Sequence, residues 1–220
     1  MKRLFDRWSR DRKPSAALPG LCRWERCPAG DALYEWIIVC PPQDSGEAVP
    51  DRALYLLHGS GHSPLSYFSE LGVESLLPVA GRVCLVFVEG RKEWYLDSPA
   101  DAASRRDSAF LNTLEWVEAR YSIGGVRENR GICGFSMGGF GAMYLASRHP
   151  ELFGSASSII GPLDIAPLWP DHEALRRLLG PHRETWQAFN TAARVDRLAG
   201  IKLLATTGFQ AWDRPLNQSF

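Results

Sequence analysis

Gly134-Phe135-Ser136-Met137-Gly138, followed by Gly139, Phe140 and Gly141, lies between a short apolar run, Gly131–Cys133, and a helical run from Gly139 to Arg148. A serine enclosed this way fits a tight strand-to-helix turn, where the apex holds a strained backbone and its neighbours must lack a Cβ. Such a nucleophile elbow exposes the Ser136 hydroxyl and points the first N–H groups of the helix at a reacting oxygen. Gly141, Ala142 and Ala146 keep that helix slim enough to lie close against a sheet. A glycine-rich turn that merely changed chain direction would need neither the strand nor the small-residue helix.

The rest of the chain agrees with a layered α/β arrangement. Tyr34–Cys40, Ala53–Leu57, Val83–Val88, Ala156–Ile160 and Ile201–Thr206 read as further strands, the second and third apolar throughout, as in strands buried on both faces. Phe110, Leu114, Val117 and Tyr121 form one helical stripe, leaving Arg105, Arg106, Asn112 and Glu118 for solvent. Strands alternating with helices predict a mostly parallel sheet with right-handed crossovers. Residues 1–30 are expected to be a loosely ordered leader and 31–220 one domain, with Pro41–Asp51 a turn-rich link; 220 residues suit a single domain.

Composition removes several function classes. Lys+Arg and Asp+Glu balance at 25 each, so no global basic field recruits nucleic acid or anionic lipid. No run approaches the ~20 apolar residues of a membrane span. The amino terminus, MKRLFDRWSRDRKPS, has no apolar core of a secretory signal. Of the five cysteines, Cys22 and Cys27 have no second Cys/His pair at zinc spacing, and Cys40, Cys84 and Cys133 read as buried thiols. A reducing, cytoplasmic setting is the expectation.

A second motif, His58-Gly59-Ser60-Gly61-His62, directly follows the strand Ala53–Leu57. Its glycines let backbone N–H groups turn inward, which suits half of an oxyanion hole, with donors at Ser60 and Met137. The His58/His62 spacing is not read as a metal site, because the intervening glycines disfavour a helix; neither metal nor organic cofactor is expected.

Tyr55-Leu56-Leu57-His58-Gly59, Trp94-Tyr95 and the segment Gly134 to Ala142 together resemble the putative-esterase family of α/β-hydrolases, which includes esterase D, tributyrin and feruloyl esterases and the mycolyltransferase antigens. The resemblance runs from about Tyr34 to the end of the chain. It implies an α/β-hydrolase fold and hydrolysis of a small-molecule ester or thioester through an acyl-enzyme on Ser136. It also implies that His58, Gly59 and the loop bearing Trp94, Tyr95 and Asp97 line the substrate site, packing being the alternative for Trp94 and Tyr95. Nothing in the sequence sets the oligomeric state or the acyl and alcohol groups.

The resemblance weakens toward the end. A serine hydroxyl needs a base, and the base needs an orienting carboxylate. In the family the acid follows the strand matching Ile201–Thr206, and a histidine follows one strand later. The family spacing lands on Ala211; Asp213, two residues on, is the candidate acid, with Asp164 as the fallback. No histidine follows it. Among His58, His62, His149, His172 and His182, only His62 is weighed as a substitute base, while His149 suits a helix cap. Two expectations follow: a chain ending before its last strand and histidine loop, or a pseudoenzyme that holds an acyl group or a partner. In either case Ile201–Thr206 becomes a sheet edge.

Overall fold

Cys84–Val88 is buried at every residue and Ala53–Leu57 at all but one, and these two apolar runs are neighbours at the centre of a seven-stranded sheet. The computed structural model describes residues 13–30, 33–42, 52–80, 83–208, 212–218 and 220. Its strands are β1 (Arg23–Gly30), β2 (Leu33–Cys40), β3 (Ala53–Leu57), β4 (Cys84–Val88), β5 (Arg130–Phe135), β6 (Ser155–Ile159) and β7 (Lys202–Thr206), ordered β1-β2-β4-β3-β5-β6-β7. From β4 to β7 all neighbours are parallel, whereas β1/β2 and β2/β4 are antiparallel.

Alternation along the central strands separates two apolar layers. Tyr55, Leu57, Val86 and Val88 face a core shared with Phe110, Leu114, Phe140 and Tyr144. Leu56, Leu85 and Phe87 face a second core with Ile38, Tyr67 and Phe68. Two short helices, α1 (Ser66–Ser69) and α2 (Leu77–Ala80), precede β4; α3 (Arg106–Tyr121) packs on β1, and α4 (Met137–Arg148) on β5 and β6. Helices α5 (Glu173–Leu179) and α6 (Arg183–Ala188) lie between β6 and β7. The mostly parallel α/β plan expected from the sequence is present.

Three expectations are corrected. Arg23–Gly30 is a strand rather than part of a loose leader, its partners running from Arg23↔Val39 to Gly30↔Leu33; interspersed charges and Pro28 hide its alternation. Cys22 and Cys40 form a disulfide that fastens the segment before β1 to β2, while Cys27, Cys84 and Cys133 are free. The reading of Cys40 as a buried thiol fails, and with it the support the cysteine pattern gave to a reducing setting. Arg106, expected at the surface, is buried on α3 with Nη1 2.6 Å from both Glu35 carboxylate oxygens.

Strand β7 pairs with β6 at the sheet's end and is exposed along its whole length, as expected of an edge. No described helix is long and apolar enough to cross a membrane. The link expected at Pro41–Asp51 lies outside the described residues beyond Pro42.

Candidate active site

Ser136 stands between β5 and α4 with φ 54° and ψ −121°, a conformation that non-glycine residues avoid. Its N–H donates to the Ile159 carbonyl at 2.9 Å, and its own carbonyl accepts the Phe140 N–H at 3.1 Å. The flanking glycines are steric necessities: a Cβ on Gly134 would overlap the Gly138 carbonyl, and one on Gly138 the Leu57 carbonyl. The elbow is thus wedged against the end of β3, and the Ser136 side chain stays partly accessible.

The loop after β3 supplies the facing backbone. His62 N–H donates to Gly59 O at 3.1 Å, closing a turn over Ser60 and Gly61, with Gly61 at φ 83°. Ser60 is exposed at its tip, whereas Met137 is buried as the first residue of α4. A Cβ on Gly59 would come 2.7 Å from the Phe135 ring, so this loop and the elbow approach to contact. His58, expected against substrate, is fully buried beneath the loop: Nδ1 lies 2.9 Å from Gly59 O, and Nε2 lies 2.9 Å from the Gly90 N–H and 3.1 Å from Glu89 Oε1. Burial would raise the Glu89 pKa, but the hydrogen bond and charge of His58, with the N–H and charge of Arg91, hold it below its ordinary value.

Asp213 is fully buried. Its Oδ2 accepts from Asn217 Nδ2 at 2.9 Å, while Oδ1 is buried with no partner among the described residues. The fallback Asp164 is committed to structure, Oδ1 accepting from Asn190 Nδ2 at 2.7 Å and from the Ala166 N–H at 3.0 Å. Asn217 binds Gly161 O and the Leu163 N–H as well, tying the segment after β7 to the loop after β6. Ala211 lies outside the described residues.

Four of the five histidines have side-chain partners away from Ser136 and Asp213. His62 meets Glu70 at 3.4 Å, and its ring packs edge-on to Phe135. His149 closes α4 as expected and binds buried Asp107 at 2.7 Å. His172 accepts the Leu175 N–H to cap α5 and packs edge-on to Trp94, and His182 precedes α6. His58 is held as above.

Trp94 and Tyr95 are 3% and 1% exposed, both at positive φ. Tyr95 fills the space over Gly90 and Gly141 and donates to the His58 carbonyl at 3.1 Å; Trp94 packs on Phe140. Both are thus packed within the core rather than open to solvent. Asp97 accepts from Ser108 and Arg105 rather than facing the elbow. Two residues unremarked in the sequence matter here, Glu89 and Tyr67, the latter donating to Leu57 O at 2.9 Å. A cleft of about 770 Å³ lies beside the loop after β3, bordered by Trp36, His62, Glu70, Glu89 and Arg91; Ser60, Ser136 and Met137 do not line it.

Residues 36–202 match the family described as Putative esterase. Esterase Rv1288 of Mycobacterium tuberculosis (strain ATCC 25618 / H37Rv) is 32% identical over 127 residues, 55% of this chain and 27% of that protein, so the chain spans about a quarter of that relative's length. Among solved structures, the fluorophosphonate-binding serine hydrolase FphF of Staphylococcus aureus superposes with TM-score 0.69 at 17% identity, over 88% of this chain and 82% of that one. An S-formylglutathione hydrolase from Agrobacterium tumefaciens gives TM-score 0.66 at 17% identity, over 84% of each chain. At that identity the two share the fold with this chain.

Proposed function

The chain belongs to the Putative esterase family, and on that premise we propose that it attacks a carboxylic ester or thioester with Ser136. The Ser136 hydroxyl loses its proton to a base as Oγ bonds to the carbonyl carbon. The resulting oxyanion is met by the Ser60 and Met137 N–H groups. Collapse expels the alcohol or thiol with a proton and leaves an acyl-serine, which water then hydrolyses. The observation that carries this reading is the strained Ser136 backbone, pinned to Ile159 and wedged against β3 by glycines.

Asp213 is the acid in this reading. A buried carboxylate oxygen with no partner is unfavourable unless a donor meets it in the working enzyme, and an imidazole N–H is the donor a triad acid receives. No histidine of the chain bonds to that oxygen, so for these 220 residues we propose acylation with severely reduced turnover. The lack of a bonded base also favours a second reading, a protein that holds an acyl group without reacting. A cytoplasmic setting, expected from the sequence, stands against the Cys22–Cys40 disulfide.

Intact-mass spectrometry after incubation with a fluorophosphonate separates the readings. A single adduct in the wild type, absent in Ser136→Ala, is the expected result. A folded wild-type protein without an adduct overturns the nucleophile assignment, and saturable acyl binding without an adduct then selects the second reading.

A further inference from the structure

The carbonyls of Leu57, His58 and Gly59 are each held by a side-chain donor: Tyr67 Oη at 2.9 Å, Tyr95 Oη at 3.1 Å and His58 Nδ1 at 2.9 Å. Such a succession fixes the peptide planes of a loop that has no strand or helix of its own. In a trans peptide the N–H points opposite to the carbonyl of the same unit. The Gly59 carbonyl and the Ser60 N–H belong to one unit, so drawing Gly59 O onto the His58 ring and the His62 N–H aims the Ser60 N–H the other way.

The donor at His58 Nδ1 does not depend on the charge of the ring. Gly59 O can only accept, so Nδ1 carries the proton. At Nε2 the neutral ring accepts from the Gly90 N–H, and the charged ring donates to Glu89 Oε1; either way Nδ1–H remains on Gly59 O. Tyr95 reaches its carbonyl from a loop where Arg91, Trp94 and Tyr95 all have positive φ, and only glycine at 90 and 141 leaves room for its ring. Backbone strain of this kind persists where the surrounding packing over-determines it. Tyr95 and Tyr67 are buried and do not border the cleft.

We propose that Tyr67, Tyr95 and His58 form a clamp of positioning residues that orients the Gly59–Ser60 peptide as an oxyanion donor. The clamp follows from the geometry; its catalytic consequence rests on the proposed chemistry at Ser136. Removing a donor outright lowers acyl-transfer rates by about 10²–10³-fold, so a donor left in place but mis-aimed should lose about 10–100-fold.

The test uses Tyr95→Phe and Tyr67→Phe, which delete only a hydroxyl, with His58→Asn, which keeps a donor near the Nδ1 position, and His58→Leu, which does not. Two readouts are taken on each: the rate of Ser136 phosphonylation resolved into kinact and KI, and solvent exchange by NMR of the His62 amide, which is bonded to Gly59 O. Expected are a fall in kinact of about 10–100-fold with KI within about twofold, faster His62 exchange in both tyrosine variants, and His58→Asn closer to wild type than His58→Leu. Wild-type kinact and unchanged His62 exchange in both tyrosine variants overturn the clamp, as does a loss confined to KI. An unreactive wild type sinks the esterase reading instead, and His62 exchange alone then decides the clamp: faster exchange upholds it, unchanged exchange overturns it.

Discussion

Asn217 Nδ2 sits 2.9 Å from Asp213 Oδ2, so the one satisfied oxygen of the buried carboxylate is held by the residue that also binds Gly161 O and the Leu163 N–H. Asn217→Ala removes three hydrogen bonds at once and leaves Leu163 N–H and Asp213 unsatisfied. A loss of about 2–4 kcal/mol is expected, at about 1 kcal/mol per bond plus the exposed deficits. Urea denaturation measures it, and a change below half a kcal/mol would mean the segment after β7 is not held by this side chain.

Asp213 Oδ1 invites a small donor. Millimolar imidazole is expected to accelerate fluorophosphonate labelling of Ser136, acting as the base while its N–H meets Oδ1. In Asp213→Asn the acceleration should vanish, while stability is unchanged or rises as an unpaired buried charge is removed. Equal acceleration in wild type and Asp213→Asn would remove Asp213 from the acid role.

Gly138 has no room for a methyl group. A Cβ there would meet the Leu57 and His58 carbonyls, backbone atoms that the sheet and Tyr67 prevent from moving. Gly138→Ala should cost about 3 kcal/mol by overpacking or prevent folding. Gly20→Ala is the control for the assay: no atom lies within 4 Å of its Cβ position, and only its φ of 56° opposes the change. If Gly138→Ala unfolds no more easily than Gly20→Ala, the elbow is not wedged against the Leu57 and His58 carbonyls.

Acid should destabilise the protein in two windows. Burial lowers the His172 pKa below its ordinary 6.5, so the unfolded chain binds the proton first and stability falls as pH drops through about 6.5, levelling off below the folded value. Glu89, held below 4.5, contributes stability that is complete above 4.5 and lost as pH falls through its folded value. His172→Gln should flatten the upper window and Glu89→Gln the lower one in denaturation measured from pH 3 to 8. If both profiles match the wild type, other groups govern the acid response.

The sequence, taken alone, determined the elbow and its setting. Gly134 can be read without coordinates because its reason is local, a Cβ there meeting the Gly138 carbonyl within the same turn, whereas Gly138 and Gly141 make room for the Leu57 carbonyl and the Tyr95 ring from distant parts of the chain. The central strands were equally legible, since β3 and β4 are buried on both faces and so are apolar throughout. Strand β1 was not, because its burial alternates among charges and proline and only pairing with β2 makes it a strand.

Tertiary structure alone decided the roles around Ser136. His58 and Tyr95 carry the residue types of a binding site, yet each is buried, holding the carbonyl of another residue. Buried Arg106 finds Glu35 from β2, and Asp213 keeps an unpartnered oxygen at the end of the sheet opposite β1. Spacing along the chain specifies which residues share a turn, a strand or a helix face. Which distant groups meet, and which polar atom is left waiting for one, depends on strand order and on water being excluded between layers.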